Sequence, residues 1–294
     1  MSLPLSSPAA ASLTGLVTRL RAAGCVFAED EAQLLAATAR TPSDLAAMAD
    51  RRIAGLPLEQ VVGWAEFCGL RIAVDPGVFV PRRRTEFLVG QAAALVRARD
   101  AAGPRPVVVD LCCGTGAVGA ALAAALSGPA TGAPATAAAT GTAPPPRIDL
   151  HATDIEPAAV RCARRNIPPA TGQVYEGDLY APLPPALRGR VDLLVVNAPY
   201  VPTEAIGLLP PEARDHEPRV ALDGGTDGLD VQRRVAAGAL RWLAPGGHLL
   251  IETSERQAPD TLEAFRRHGL VTRLATDDDL SATVAVGTRP AGTP

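Results

Sequence analysis

Asn197-Ala198-Pro199-Tyr200 places an amide side chain, a fixed backbone and an aromatic ring directly after the apolar run Leu193–Val196. A Leu- and Val-rich run stopped by Asn-x-Pro reads as a buried strand turning into a rigid loop. Pro199 cannot donate to a ladder, so the chain must leave the sheet there. In open parallel sheets the C-terminal ends of strands are where ligands bind. These residue types suit a planar N–H2 group: the Asn side-chain oxygen and a backbone carbonyl can each accept one N–H, while the ring covers a face. Taken alone, the tetrapeptide reads as a plain strand-ending turn. Its upstream partners change that reading.

The first partner is a glycine loop. Val107–Leu111 reads as a buried strand, and Gly114, Gly116 and Gly119 after it match G-x-G-x-x-G, a nucleotide-cofactor pattern. Asp110 closes that strand, where it can orient the charged amino-acid end of a cofactor. Asp154 closes the next strand (Ile148–Asp154), about 15 positions beyond Gly119 once the tract 127–146 is set aside, near the spacing of a ribose-binding acid. It can also cap the helix opened by Pro157. Asp178 follows a third strand, near where an adenine would lie. The glycines alone do not separate a nicotinamide enzyme from an S-adenosylmethionine enzyme. The three acids, the Asn197–Tyr200 loop and two closing strands favour the second.

These groups need elements to hold them. Leu13, Leu16, Val17 and Leu20, then Leu34, Leu35, Leu45, Met48 and Ile53, recur at helical spacing across 12–55, and Thr41-Pro42-Ser43-Asp44 is a helix start. Trp64–Val74 alternates around Gly69 as a hairpin. Arg82-Arg83-Arg84 precedes a helix over about 87–96 and reads as a solvated face rather than an anion contact. Ser127–Pro146 is an Ala/Thr/Gly/Pro tract with too little large apolar content to pack. Further strands fall near 174–180, 193–196, 248–252, 271–274 and 283–286, with helices at 157–166, 229–243 and 257–268 and a long loop at 203–226. Strands alternating with helices give a doubly wound α/β sheet. The expected divisions are 1–58 (helical), 59–86 (hairpin linker) and 87–294 (catalytic, carrying the insert 127–146).

Composition narrows the function classes. All 28 basic residues of the 294-residue chain are Arg, a compositional habit, and the net charge of −3 argues against a broad nucleic-acid or membrane-surface partner. Five Cys (25, 68, 112, 113, 162) show no metal-ligand spacing, and their odd number discourages a disulfide framework, so a reducing, cytoplasmic setting without a bound metal is expected. No run reaches membrane-spanning length.

With Gly63–Leu70, Asp75–Arg82, Thr85-Glu86, Asp110-Leu111, Gly114-Thr115-Gly116, Asn197–Tyr200 and above all Arg214–Arg219 running into Ala221–Gly225, the chain resembles the release factor glutamine methyltransferase family from about Gly55 onward. The resemblance implies a Rossmann-like catalytic domain behind a helical substrate-recognition domain, S-adenosylmethionine as cofactor, and the glutamine of the Gly-Gly-Gln loop of class I peptide chain release factors as acceptor. It also implies that Cys112, Cys113, Gly114, Thr115 and Gly116 cradle the methionine end, Asp154 binds the ribose, Asp178 and Leu179 flank the adenine, and Asn197 through Tyr200 hold the substrate amide. Three departures stand out: Cys112 where Gly is usual, Ala198 where a second Pro is usual, and Arg83-Arg84 where Pro and an acid are usual. A monomer without direct nucleic-acid contact is expected. The readings set against it are an amino-methyltransferase acting on an adenine amine, a non-catalytic S-adenosylmethionine-binding protein and, more remotely, a nicotinamide dehydrogenase.

Overall fold

The computed structural model describes residues 8–99, 103–127 and 148–292; apart from Ser127, the Ala/Thr/Gly/Pro tract 127–146 lies outside the described residues. The helical periodicity of the first sixty residues yields α1 (Pro8–Ala22), α2 (Ala28–Thr38), α3 (Pro42–Ile53) and the short α4 (Leu58–Val62). The helix start read at Thr41 is realised: its hydroxyl accepts the Asp44 N–H at 3.0 Å, with Pro42 in the first turn. Leu16, Leu20, Leu35, Met48 and Val61 form a core of their own. The hairpin is β1 (Trp64–Phe67) and β2 (Leu70–Ala73), with Phe67 opposite Leu70. Its two-residue turn, Cys68-Gly69, has φ of 50° and 71°, the left-handed conformation that a tight hairpin requires.

The chain from Val107 onward builds a seven-stranded sheet. Its strands are β3 (Val107–Leu111), β4 (Asp149–Asp154), β5 (Gly172–Glu176), β6 (Val191–Val196), β7 (Leu243–Thr253), β8 (Val271–Asp277) and β9 (Ala282–Thr288), in the order β5-β4-β3-β6-β7-β9-β8. β3 to β7 are parallel, and β9 runs antiparallel between β7 and β8. The near-continuous apolar strands are explained by burial on both faces. Val108, Val195 and Leu250 enter one core with α5 (Glu86–Arg97), α6 (Ala117–Ala125) and α7 (Pro157–Asn166). Their neighbours Val109, Val196 and Ile251 enter the other.

The long loop expected over 203–226 is more structured than its Pro and acid content suggested. A 3₁₀ segment (Thr203–Leu208), α8 (Pro211–His216) and α9 (Arg219–Leu222) occupy it, because Pro202, Pro210 and Pro218 stand at the N-cap positions and Pro211 in a first turn, where no intrahelical N–H is lost. α10 (Asp230–Trp242) and α11 (Ala258–Arg267) then cover the second face, with Val235, Ala239 and Phe265 in its core.

Strand order reverses between β3 and β6, where Asp110 lies beside Val195 and Leu111 beside Val196. The glycine loop and the Asn197 loop therefore leave the sheet side by side, at the switch point where such sheets bind ligands.

Candidate active site

A cavity of about 1000 Å³ opens at that switch point. Its floor is made by the loops after β3, β4, β5, β6 and β7, and its walls by the 209–222 segment, by Pro57, Glu59 and Gly77–Phe79 from the N-terminal part, and by Thr276–Thr283 from the last hairpin. Cys112, Gly114, Asp154, Asp178, Leu179 and Asn197 through Tyr200 all line it. Asp110, Cys113 and Thr115 do not. They line a recess of about 40 Å³ that shares Cys112, Gly114, Asn197 and Phe79 with the larger space.

The glycine loop is held from both ends. Asp110, 1% exposed, accepts the Gly119 N–H through Oδ2 at 2.9 Å. Burial pushes its pKa up to about 7; the Gly119 N–H opposes this and the Asp154 charge adds to it. Cys112 has φ 57°, the left-handed region, at a cost of roughly 1–2 kcal/mol for a residue with a Cβ. That conformation explains why glycine is the more usual residue there. Gly114 (φ 54°) donates its N–H to Asp154 Oδ2 at 2.8 Å, and a Cβ built on it would project into open space. Gly116 (φ 75°) is needed for packing as well as for its left-handed backbone, since a Cβ would stand 3.0 Å from Ile167 and 3.1 Å from Ala163 on and after α7. Asn166, at the end of α7, pairs with both backbone groups of Ala73 and donates to the Thr115 carbonyl at 2.8 Å, fastening the hairpin to the loop.

Asp154 does not cap α7, the alternative its position allowed: Glu156 occupies the cap position without a side-chain bond. Its Oδ1 accepts the Glu156 N–H at 2.9 Å while Oδ2 holds Gly114, so the carboxylate ties two cavity loops together. Burial raises its pKa against those two N–H bonds. Asp178 pairs with Arg234, and Leu179, at φ 48°, gives its carbonyl to Thr153 Oγ1 at 3.0 Å.

Asn197 donates its Nδ2 to Thr85 Oγ1 at 3.4 Å, so the amide is turned with its nitrogen toward Thr85 and its oxygen away. Ala198 is 2% exposed, its methyl packed in the second core. Gln257, also buried, donates Nε2 to the carbonyls of Tyr200 (3.0 Å) and Asp227 (2.9 Å), fixing the end of the loop. The Tyr200 hydroxyl lies between Arg84 and Glu252. Burial pushes its pKa up to about 12, with Glu252 adding and Arg84 opposing.

Three contributors went unread in the sequence. Arg84 belongs to the cavity wall, not to a merely solvated face; only Arg83 fits that reading. Thr85 was quoted only as part of a motif, with no hint of its bond to Asn197. Glu252 had a usable signal: like Asp110 and Asp154, it is an acid near the C-terminal end of a buried strand.

The donor set suits a cationic, hydroxyl-bearing ligand. Asp110, Asp154 and Asp178 stand at or just after the ends of three neighbouring strands, β3, β4 and β5, next to a glycine that leaves the space open. An S-adenosylmethionine, with its ammonium, sulfonium and ribose hydroxyls, fits these groups. The fold and site define a Rossmann-like S-adenosylmethionine-dependent methyltransferase.

No family model matches the chain. A release factor glutamine methyltransferase of Geobacter sulfurreducens is 36% identical over 253 residues, covering 84% of this chain and 79% of that protein. The Streptomyces coelicolor enzyme of the same name is 39% identical over 207 residues, 70% of this chain and 66% of its own length, just under two thirds. The chain belongs to the release factor glutamine methyltransferase family. A 4-amino-L-phenylalanine/4-methylamino-L-phenylalanine methyltransferase of Streptomyces pristinaespiralis is also similar, 36% identical over 222 residues, covering 74% of this chain and 68% of that protein.

Two outcomes test the cofactor end. Asp154→Ala should weaken S-adenosylmethionine binding by roughly 1.5–3 kcal/mol, the range for hydrogen bonds to a charged group, as read by calorimetric titration. NAD should give no heat, and tight NAD binding would contradict the assignment. Asp110 governs a pH effect. Its folded pKa lies above the unfolded value, so its stabilising contribution is complete below about pH 4 and is lost as pH rises through about 7. Asp110→Asn should flatten that part of the stability–pH curve in urea titrations of the cofactor-free protein, and an unchanged slope would remove Asp110 as its source.

Proposed function

We propose that this chain methylates the side-chain amide nitrogen of a glutamine in a protein, the Gly-Gly-Gln loop of class I peptide chain release factors. The observation that carries the reading is the Asn197 amide, held by Thr85 in the same cavity as the glycine loop and Asp154. Bound S-adenosylmethionine supplies an electrophilic methyl group. An amide nitrogen is a poor nucleophile because its lone pair is delocalised into the carbonyl. Asn197 Oδ1 and the Ala198 carbonyl each take one N–H, which orients the nitrogen and stabilises the positive charge that develops on it. Tyr200 offers a ring face worth on the order of 1 kcal/mol to that charge. Cys112 through Gly116 cradle the amino-acid end of the cofactor, with Asp110 beneath them; Asp154 takes the ribose, and Asp178 with Leu179 flanks the adenine.

The α1–α4 bundle serves substrate recognition. It supplies Pro57 to the cavity wall just ahead of α4 and holds α8 through the Arg52–Glu212 ion pair, 2.6 Å. The acids along the cavity and the net charge of −3 favour a protein acceptor over nucleic acid, acting from a cytoplasmic monomer. Labelled-methyl transfer onto purified release factor tests the reading. Label should enter the intact factor and not one whose loop glutamine is replaced by Ala. Free 4-amino-L-phenylalanine, offered in parallel, should remain unlabelled. No label on the intact factor, or equal label on the Gln→Ala factor, would overturn it.

A further inference from the structure

Arg84 reaches the cavity from the 3₁₀ turn Arg83–Thr85, one residue before the threonine that holds Asn197. Its Nε donates to Glu252 Oε1 at 3.2 Å and its Nη2 to the Tyr200 hydroxyl, which in turn donates to the same Glu252 oxygen at 3.4 Å. Glu252 is 2% exposed, so the guanidinium is anchored on a fixed, buried carboxylate. A guanidinium has five N–H donors. Two are engaged here, and the Arg84 side chain is 44% exposed on the cavity wall. An anchored cation with donors to spare, beside the amide-holding loop, is built to receive an oxygen acceptor.

The charge around it decides which acceptor. Arg84 and Glu252 cancel one another, while Glu255, Asp277 and Asp278 line the same cavity. A substrate carboxylate would meet no net positive charge at the Arg84–Glu252 pair, in a cavity lined by ten acids against three arginines. A neutral carbonyl dipole meets no such repulsion and gains a charge-assisted hydrogen bond. We propose that Arg84 binds a main-chain carbonyl oxygen of the substrate loop next to the glutamine, and so fixes the loop's register while Asn197 holds the side chain. This rests on the protein-glutamine reading given above, and it assigns substrate contact to a position where the family usually carries an acid.

Steady-state methylation of a synthetic release-factor loop peptide separates the possibilities. Arg84→Ala should raise KM for the peptide about 10-fold or more, the loss expected for one hydrogen bond to a charged group, with a smaller change in kcat and an unchanged cofactor dissociation constant. A residue that served only to neutralise Glu252 would behave differently: the double variant Arg84→Ala/Glu252→Gln, which leaves no buried charge unpaired, would then regain the wild-type KM. The expected result is that the double variant keeps the raised KM. Recovery in the double variant, or an unchanged KM in the single one, would overturn the role of Arg84 while leaving the protein-glutamine reading in place. A wild-type enzyme inactive on both the peptide and the intact factor would overturn the two together.

Discussion

Asn197→Ala should lower the rate of methyl transfer about 10²–10³-fold, the usual loss when one preorganised acceptor or donor is removed from a water-poor site. The size follows from where the residue stands. β6 is buried along its core-facing residues, and Asn197 is the first residue beyond it, so its backbone is as fixed as the sheet. Thr85 orients the amide, and Gln257 holds the Tyr200 carbonyl three residues on. Removing the side chain deletes one N–H acceptor and leaves the Ala198 carbonyl unable to aim the nitrogen alone. Single-turnover transfer at saturating cofactor is the measurement, with cofactor affinity by titration as the control. Thr85→Val should cost less, because the 3.4 Å bond it removes is long and orients the amide without touching substrate. Ala198→Pro adds a second arm. It keeps the carbonyl and fixes φ, so activity on a glutamine loop should hold or rise. A wild-type rate in Asn197→Ala would falsify the clamp.

The parts of this site legible in sequence share one property: they stand where strands end. Asp110 and Asn197 each follow an apolar run, and Asp154 a buried strand of mixed residues, whose length fixes the side chain's place at the strand end, and the glycine spacing fixes the loop between them. The doubly wound α/β class followed from the alternation of strands and helices, whereas the strand order and the antiparallel direction of β9 came from the fold. What stayed hidden depends on contacts between segments far apart in the chain. Arg84 and Glu252 are 168 residues apart, and Asn197 and Thr85 are 112 apart. No local pattern reports such pairs. The Arg82-Arg83-Arg84 run shows the limit: three identical side chains meet Glu217, solvent and Glu252 respectively, and only the fold separates them. The 203–226 segment failed for a related reason. Its prolines read as breakers, yet at N-cap and first-turn positions they precede or open helices, and α8 is then fastened to the N-terminal bundle.

Glu217→Ala tests a second fastening of this segment, to Val80 and Arg82. The Glu217 side chain is fully buried, between α8 and α9. Its Oε1 accepts the Val80 N–H at 3.1 Å, and both its oxygens take Arg82 Nη2 at 2.6 Å. Burial raises its pKa, while Arg82 and the Val80 N–H pull it down. One carboxylate thus joins the segment that walls the cavity to the stretch leading into Thr85. Removing one partner of a buried ion pair typically costs about 3–5 kcal/mol. The low end applies here, because Arg82 is 33% exposed and can turn to water once freed, whereas the buried Val80 N–H cannot. Glu217→Gln retains an acceptor for Val80 and loses the charge, so it should be damaged less. Urea unfolding of the three proteins measures the stability loss, and methylation of release factor measures the effect on the site. Because the hydrogen bonds of Glu217 go to Val80 and Arg82 and not to the glycine loop or Asp154, the cofactor dissociation constant should change little, while kcat/KM for the protein substrate falls in the order wild type, Gln, Ala. A Glu217→Ala protein as stable and as active as wild type would show that the wall of the cavity holds without this carboxylate.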